Sequence, residues 1–141
     1  GFGITLDESL HAAEYLASEG NQKVVFGLRG MKTNIGDPHR NMVDFAHVPV
    51  VKRLTRMPVC VDPSHSVGSR SRSPDNILDV MQVTAQGVIA GANMILVDFH
   101  PDPTCALVDG PQALRMEELP KFLEDVRIVR EAYEKRRSLF A

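Results

Sequence analysis

Val59-Cys60-Val61-Asp62-Pro63-Ser64-His65-Ser66 is an apolar run that stops abruptly in an acid, a proline, a hydroxyl and an imidazole. Further along, Met94-Ile95-Leu96-Val97 runs into Asp98-Phe99-His100-Pro101-Asp102-Pro103, with Asp109-Gly110 beyond it. Short runs that are apolar throughout suit strands buried on both faces, as in a parallel sheet. Each run delivers polar groups at its C-terminal end. In parallel α/β proteins the ligand crevice lies beyond the carboxyl ends of the strands, so both ends are candidate site positions.

On either side, helical and extended patterns alternate. Thr5 suits an N-cap, Asp7 and Glu8 suit the positive end of the dipole, and Leu6, Leu10, Ala13 and Leu16 or Ala17 recur at helical spacing up to Gly20. Lys23 to Leu28 reads as a strand, and Arg29-Gly30 opens a polar loop through Asn41. A helix is expected from Met42 to Thr55, with Pro49 restarting it as a second segment. After a strand from Pro58 to Val61, a loop from Asp62 to Arg72 leads to Ser73-Pro74-Asp75. That triplet predicts a helix start with proline at the first position, running to Gly91. Met94 to Val97 is the third strand, and after the turn Asp109-Gly110-Pro111 a charged amphipathic helix covers Met116 to Arg137. Repeated βα units predict an α/β fold on a parallel sheet, with residues 1–141 forming one partial domain. Three strands are too few to close a (β/α)8 barrel, which typically takes about 250 residues. Two raw sheet edges and an open core are therefore expected unless further strands are supplied.

The composition, 43% hydrophobic and 24% charged, is that of an ordinary globular domain. A net charge of -2 provides no basic footprint for nucleic acid, so none is expected as a partner. No apolar run approaches the roughly 20 residues that span a bilayer, so no membrane partner is expected either. Cys60 in a strand and Cys105 in a loop, without a signal-like N-terminus, predict reduced thiols in a cytoplasmic protein and no disulfide.

Two groups of residues could carry chemistry. His65, Asp98 and Asp109 sit at or just past strand ends, and an imidazole nitrogen with two carboxylate oxygens suits a divalent Mn, Fe, Co or Zn ion. The plainer alternative is that the acids cap turns and helices while His65 and His100 satisfy backbone groups. Spacing alone leaves both readings open. Arg29 directly follows a strand, and Arg70 and Arg72 lie in a Gly-Ser-rich loop leading to a helix. Such forks match phosphate oxygens, although a solvated loop explains the latter pair equally well. The charges from Lys121 to Arg137 are read as a solvated helix face, the Met and Phe residues as core, and His11 and His47 as structural or surface residues.

Leu28-Arg29-Gly30, Arg40-Asn41, Val48-Pro49-Val50-Val51, Pro58 to Ser66 and the His100-Pro101-Asp102-Pro103 block through Asp109-Gly110 resemble, in order and spacing, the C-terminal half of the class I 3-deoxy-7-phosphoheptulonate (DAHP) synthases. That family shares ancestry with 3-deoxy-8-phosphooctulonate (KDO-8-phosphate) synthase. The resemblance implies the C-terminal part, about three βα units, of a (β/α)8 TIM barrel. Its implied activity is condensation of phosphoenolpyruvate with erythrose 4-phosphate, the first step of the shikimate pathway, or with arabinose 5-phosphate in the octulonate enzyme. By motif position His65, Asp98 and Asp109 would be metal ligands, Arg29 would grip phosphoenolpyruvate, and Arg70, with Arg72, would reach the sugar phosphate. The family's cysteine and lysine would precede Gly1, so residues 1–141 alone are expected to be inactive, with the other barrel half or a homo-oligomer completing the site.

Three departures stand out. Leu28 occupies the place of a usual glutamate, Asp98 is a methylene shorter than the usual glutamate ligand, and the loop after Ser66 is long. They point to a diverged branch and leave a second class open: a non-catalytic barrel that binds phosphorylated metabolites.

Overall fold

The computed structural model describes residues 3–34 and 38–141. Helix α1 (Leu6–Ser18) begins as expected: the Thr5 side chain accepts from the Glu8 amide while Glu8 reaches back to the Thr5 amide, a reciprocal capping box. Strands β1 (Phe26–Leu28), β2 (Val59–Val61) and β3 (Met94–Ile95) form one parallel sheet in that order. Gly27 is paired with Cys60 and Cys60 with Met94, while Leu28, Val61 and Ile95 form the adjacent row.

Side-chain alternation assigns those rows to opposite faces. Leu28, Val59 and Val61 pack with Val48 and Val51 of helix α2 (His47–Thr55), and this is the main core. The opposite face carries Gly27, Cys60, Met94 and Leu96, and both Met94 and Leu96 are half exposed. A second cluster joins Leu78 and Val80, at the start of helix α4 (Asp79–Ile89), to Leu114 and to Phe122 of helix α5 (Leu119–Ser138). The helices therefore cover one face of the sheet, as in the wall of an α/β barrel.

Several local boundaries differ from the sequence reading. The strand expected from Lys23 is confined to Phe26–Leu28, because the residues before it find no ladder partner among the described residues. Helix α2 starts at His47, not Met42, since residues 31 and 42 form an antiparallel bridge that keeps Met42 extended. Pro49 falls in its first turn, where a missing amide costs nothing, so the helix is not restarted. The loop expected after Asp62 opens with a one-turn helix, α3 (Pro63–Val67). The start expected at Ser73-Pro74-Asp75 is instead a turn, closed by Asn76 N donating to Ser73 O, and α4 begins at Asp79. Asn76 in the left-handed region breaks the helical path there. The third run continues past β3 to β4 (Phe99–His100), which pairs in parallel with the two-residue β5 (Leu114–Arg115), an element too short to show in periodicity.

A candidate metal and anion site at the strand ends

Each polar side chain of Asp62-Pro63-Ser64-His65-Ser66 is engaged. Asp62 is the N-cap of α3 and accepts from the His65 amide, with Pro63 pre-set for the first helical position. The plain capping reading of Asp62 is thus correct as far as it goes. Its carboxylate does more, however: Oδ1 lies 3.0 Å from His65 Nδ1, and Oδ2 accepts from Arg29 Nε at 2.8 Å. Ser64, fully buried, accepts the Asp98 amide at 2.9 Å. Ser66 Oγ lies 2.8 Å from both the Arg29 and Asp62 carbonyls. One turn of helix thereby fixes the end of β1, the end of β2 and the residue between β3 and β4.

His65, Asp98 and Asp109 converge, each offering one ligand atom within 4.8 Å of the others. His65 Nδ1 is 3.7 Å from Asp98 Oδ2, and His65 Nε2 is 3.6 Å from Asp109 Oδ1. A carboxylate can only accept, so Asp62 places the proton on Nδ1 and leaves Nε2 for a ligand bond. A carboxylate behind a histidine is the usual outer-shell arrangement at metal sites. Asp98 reaches the cluster despite its shorter side chain. The donor set of one nitrogen and two oxygens therefore fits a borderline divalent ion.

Asp109 is held there by a strained turn. Its φ is 56°, a left-handed conformation that aspartate tolerates better than most residues. A Cβ on the following Gly110 would approach Pro103 O to 2.3 Å, so only glycine lets the chain pass so close to the preceding loop.

Arg29 lines a cavity of about 350 Å³ at the β1 edge, together with Gly27, Cys60, Asp62 and Leu96 of the sheet and Leu6 of α1. Burial, and then the nearby Asp62 charge, push the Cys60 thiol up from its ordinary value. Leu28 also borders this cavity, but it is buried in the core against α2 and brings no polar group to it.

Arg70 and Arg72 are not turned to the cluster. Arg70 forms a two-pronged pair with Glu118, at 3.0 and 2.7 Å, and donates to Ala113 O. Arg72 lies 3.5 Å from the same carboxylate and donates to Asn76 O. Their expected contact with a sugar phosphate gains no support from this geometry. Both arginines instead tie the loop after α3 to the start of α5.

The ties of Asp62 to Arg29 and His65, and the whole role of Gln112, escape sequence reasoning. Asp62 offered a signal, as an acid at a strand end beside a histidine. Gln112, with a buried side chain that donates to Asp98 and Asp109 and accepts from Arg40, offered none.

The sequence matches the DAHP synthetase I family over residues 1–135. The chain belongs to this family. It is 34% identical over 132 residues to a phospho-2-dehydro-3-deoxyheptonate aldolase of Thermotoga maritima, covering 94% of this chain and 37% of the relative. A 2-dehydro-3-deoxyphosphooctonate aldolase of Syntrophobacter fumaroxidans is 33% identical over 129 residues, covering 85% and 43%. Among solved structures, a truncated 3-deoxy-D-arabino-heptulosonate 7-phosphate synthase from Thermotoga maritima superposes with a TM-score of 0.83 at 35% identity, covering 94% of this chain and 47% of that one. The chain thus spans less than half the length of these family members. No helix among the described residues is long and apolar enough to cross a membrane.

Proposed function

We propose that the protein carrying this chain condenses phosphoenolpyruvate with erythrose 4-phosphate to give 3-deoxy-7-phosphoheptulonate, the opening step of the shikimate pathway, using a divalent metal held by His65, Asp98 and Asp109. The observation that carries this reading is the convergence of those three side chains within 4.8 Å, with Arg29 tied to the same Asp62 that orients His65. C3 of the enol adds to the aldehyde carbon, water adds at C2, and inorganic phosphate leaves. A bound divalent ion would act as a Lewis acid on the aldehyde oxygen.

The chain's own residues have distinct tasks. Arg29 offers a fixed cation at the end of β1, suited to the phosphate or carboxylate of phosphoenolpyruvate. Asp62 keeps His65 in one tautomer and Arg29 in one direction, so both partners are oriented before binding. Ser64 fixes the backbone from which Asp98 projects. Residues from the barrel strands that this chain does not contain would complete the site.

In the intact protein, His65→Ala is expected to abolish stoichiometric metal and lower condensation by at least about 100-fold, a loss typical of a removed metal function. Unchanged metal content and unchanged rate would reject the proposal. The octulonate-type relatives favour one second reading, with arabinose 5-phosphate as acceptor. Turnover compared on the two aldose phosphates decides between them.

A further inference from the structure

We infer that Gln112, anchored by Arg40, is a positioning residue that sets the two carboxylates of the metal site before an ion binds. This inference rests on the metal reading of His65, Asp98 and Asp109. Gln112 is 1% exposed, and its Nε2 lies 3.1 Å from Asp98 Oδ2 and 2.8 Å from Asp109 Oδ1. Those are the same two oxygens that stand 3.7 and 3.6 Å from the His65 ring nitrogens. One amide group therefore gathers both acids toward the imidazole.

The physical need is plain. Two carboxylates aimed at one point repel each other, and without a donor between them they would turn apart. A glutamine amide has two N–H groups, so it can satisfy both acids at once while adding no charge that would compete with a cation. An amide can, however, face either way. Arg40 resolves this: its Nη2 donates to Gln112 Oε1 at 2.9 Å, and an arginine has no acceptor to offer the opposite orientation. Nε2 is thereby directed at the acids.

Arg40 is itself seated closely. Its backbone amide donates to Val67 O, and its side chain runs over Gly68, where an added Cβ would come within 2.6 Å of Nε. Gly68 also has φ of 72°, so both its conformation and its missing side chain serve this contact. The line of contact runs from the end of α3 through Arg40 and Gln112 to Asp98 and Asp109, while Asp62 secures His65 from the other side. All three ligands are then braced from outside the coordination sphere, as outer-shell groups do.

The test is cobalt binding by the intact protein, read by titration calorimetry and by the visible absorption of bound Co(II), which reports ligand geometry independently of turnover. Gln112→Met, close in volume but without donors, should bind Co(II) about 10–100-fold more weakly with an altered spectrum. Arg40→Met, which leaves Gln112 packed in place, should shift both readouts in the same direction. The double variant should lose no more than Gln112→Met alone, because Arg40 acts through Gln112. Wild-type affinity and spectrum in Gln112→Met would overturn the inference, as would tighter binding, which would mark the amide as a competitor for the cation position. Additive losses in the double variant would overturn the Arg40 link. If the wild-type protein binds no Co(II), the metal reading itself falls and takes this inference with it.

Discussion

Asp62 is nearly buried, yet its carboxylate has one oxygen on His65 and the other on Arg29. A buried carboxylate is tolerated because each oxygen is engaged by hydrogen bonds, one of them charge-assisted. If His65 binds metal and Arg29 binds phosphoenolpyruvate, Asp62 joins the two functions in one group. Asp62→Asn should therefore weaken metal binding by about 10-fold or more and raise KM for phosphoenolpyruvate in parallel. Calorimetry and steady-state kinetics check this, and a change in only one of the two quantities would dissolve the link. The cysteines give a second prediction. Burial holds the Cys60 thiol protonated at neutral pH, whereas Cys105 is exposed, so a limiting alkylating reagent should mark Cys105 first in peptide mass spectrometry.

At the scale of elements, the end of β2 and the start of α1 were legible, and the starts of α2 and α4 were not. Val59–Val61 ends at Asp62 as its sequence suggests, because an apolar run stopped by an acid and a proline has few other conformations open to it. The Ser73-Pro74-Asp75 signal failed because a capping pattern fits a tight turn as well as a helix, and Asn76 chose the turn. Gln112 was hidden for another reason. Its function depends on the fold bringing Arg40, Asp98 and Asp109 to one place, and no local pattern encodes that. Likewise the pairing of Arg70 and Arg72 with Glu118 had no local signal, because the start of α5 supplies that carboxylate from far along the chain.

That last contact has a pH signature. Burial, the largest influence, pushes the Glu118 carboxyl up, but hydrogen bonds from Arg70 and the Arg115 amide, with the charges of Arg70 and Arg72, together leave it below its ordinary value of 4.5. A depressed folded-state value stabilises the protein above the unfolded value and is lost as pH falls through the folded one. Acidification below 4.5 should thus erode the tie between the α3–α4 loop and α5. Glu118→Gln should cost about 1–3 kcal/mol near neutral pH and flatten the acid limb of a stability profile measured by urea unfolding. An acid limb as steep as wild type would show that Glu118 does not carry it.

The whole molecule turns on what the sheet lacks around it. Among the described residues β1 pairs only with β2 and β3 only with β2, so the sheet is open on both sides. The cavity beside Arg29 is also lined by Leu6, Ser9, Phe26 and Leu28, and so reaches α1 at the β1 edge. Another of about 640 Å³, lined by Met94, Val97, Phe99 and Phe122, lies between the third strand and α5. Both are bounded by a helix on one side and the open edge of a strand on the other, the space a neighbouring strand takes in a continuous parallel wall. The face bearing Cys60, Met94 and Leu96 is where a closed barrel packs its interior layers. Unpaired edges and half-exposed apolar side chains favour association with other chains. Residues 1–141 produced alone should therefore bind a hydrophobic dye, elute above the 15.6 kDa of the chain in size-exclusion chromatography with light scattering, and turn over neither aldose phosphate. A well-behaved 15.6 kDa monomer without dye binding would mean that the open face is stable in water, and turnover by that monomer would mean that His65, Asp98, Asp109 and Arg29 suffice without the remaining strands.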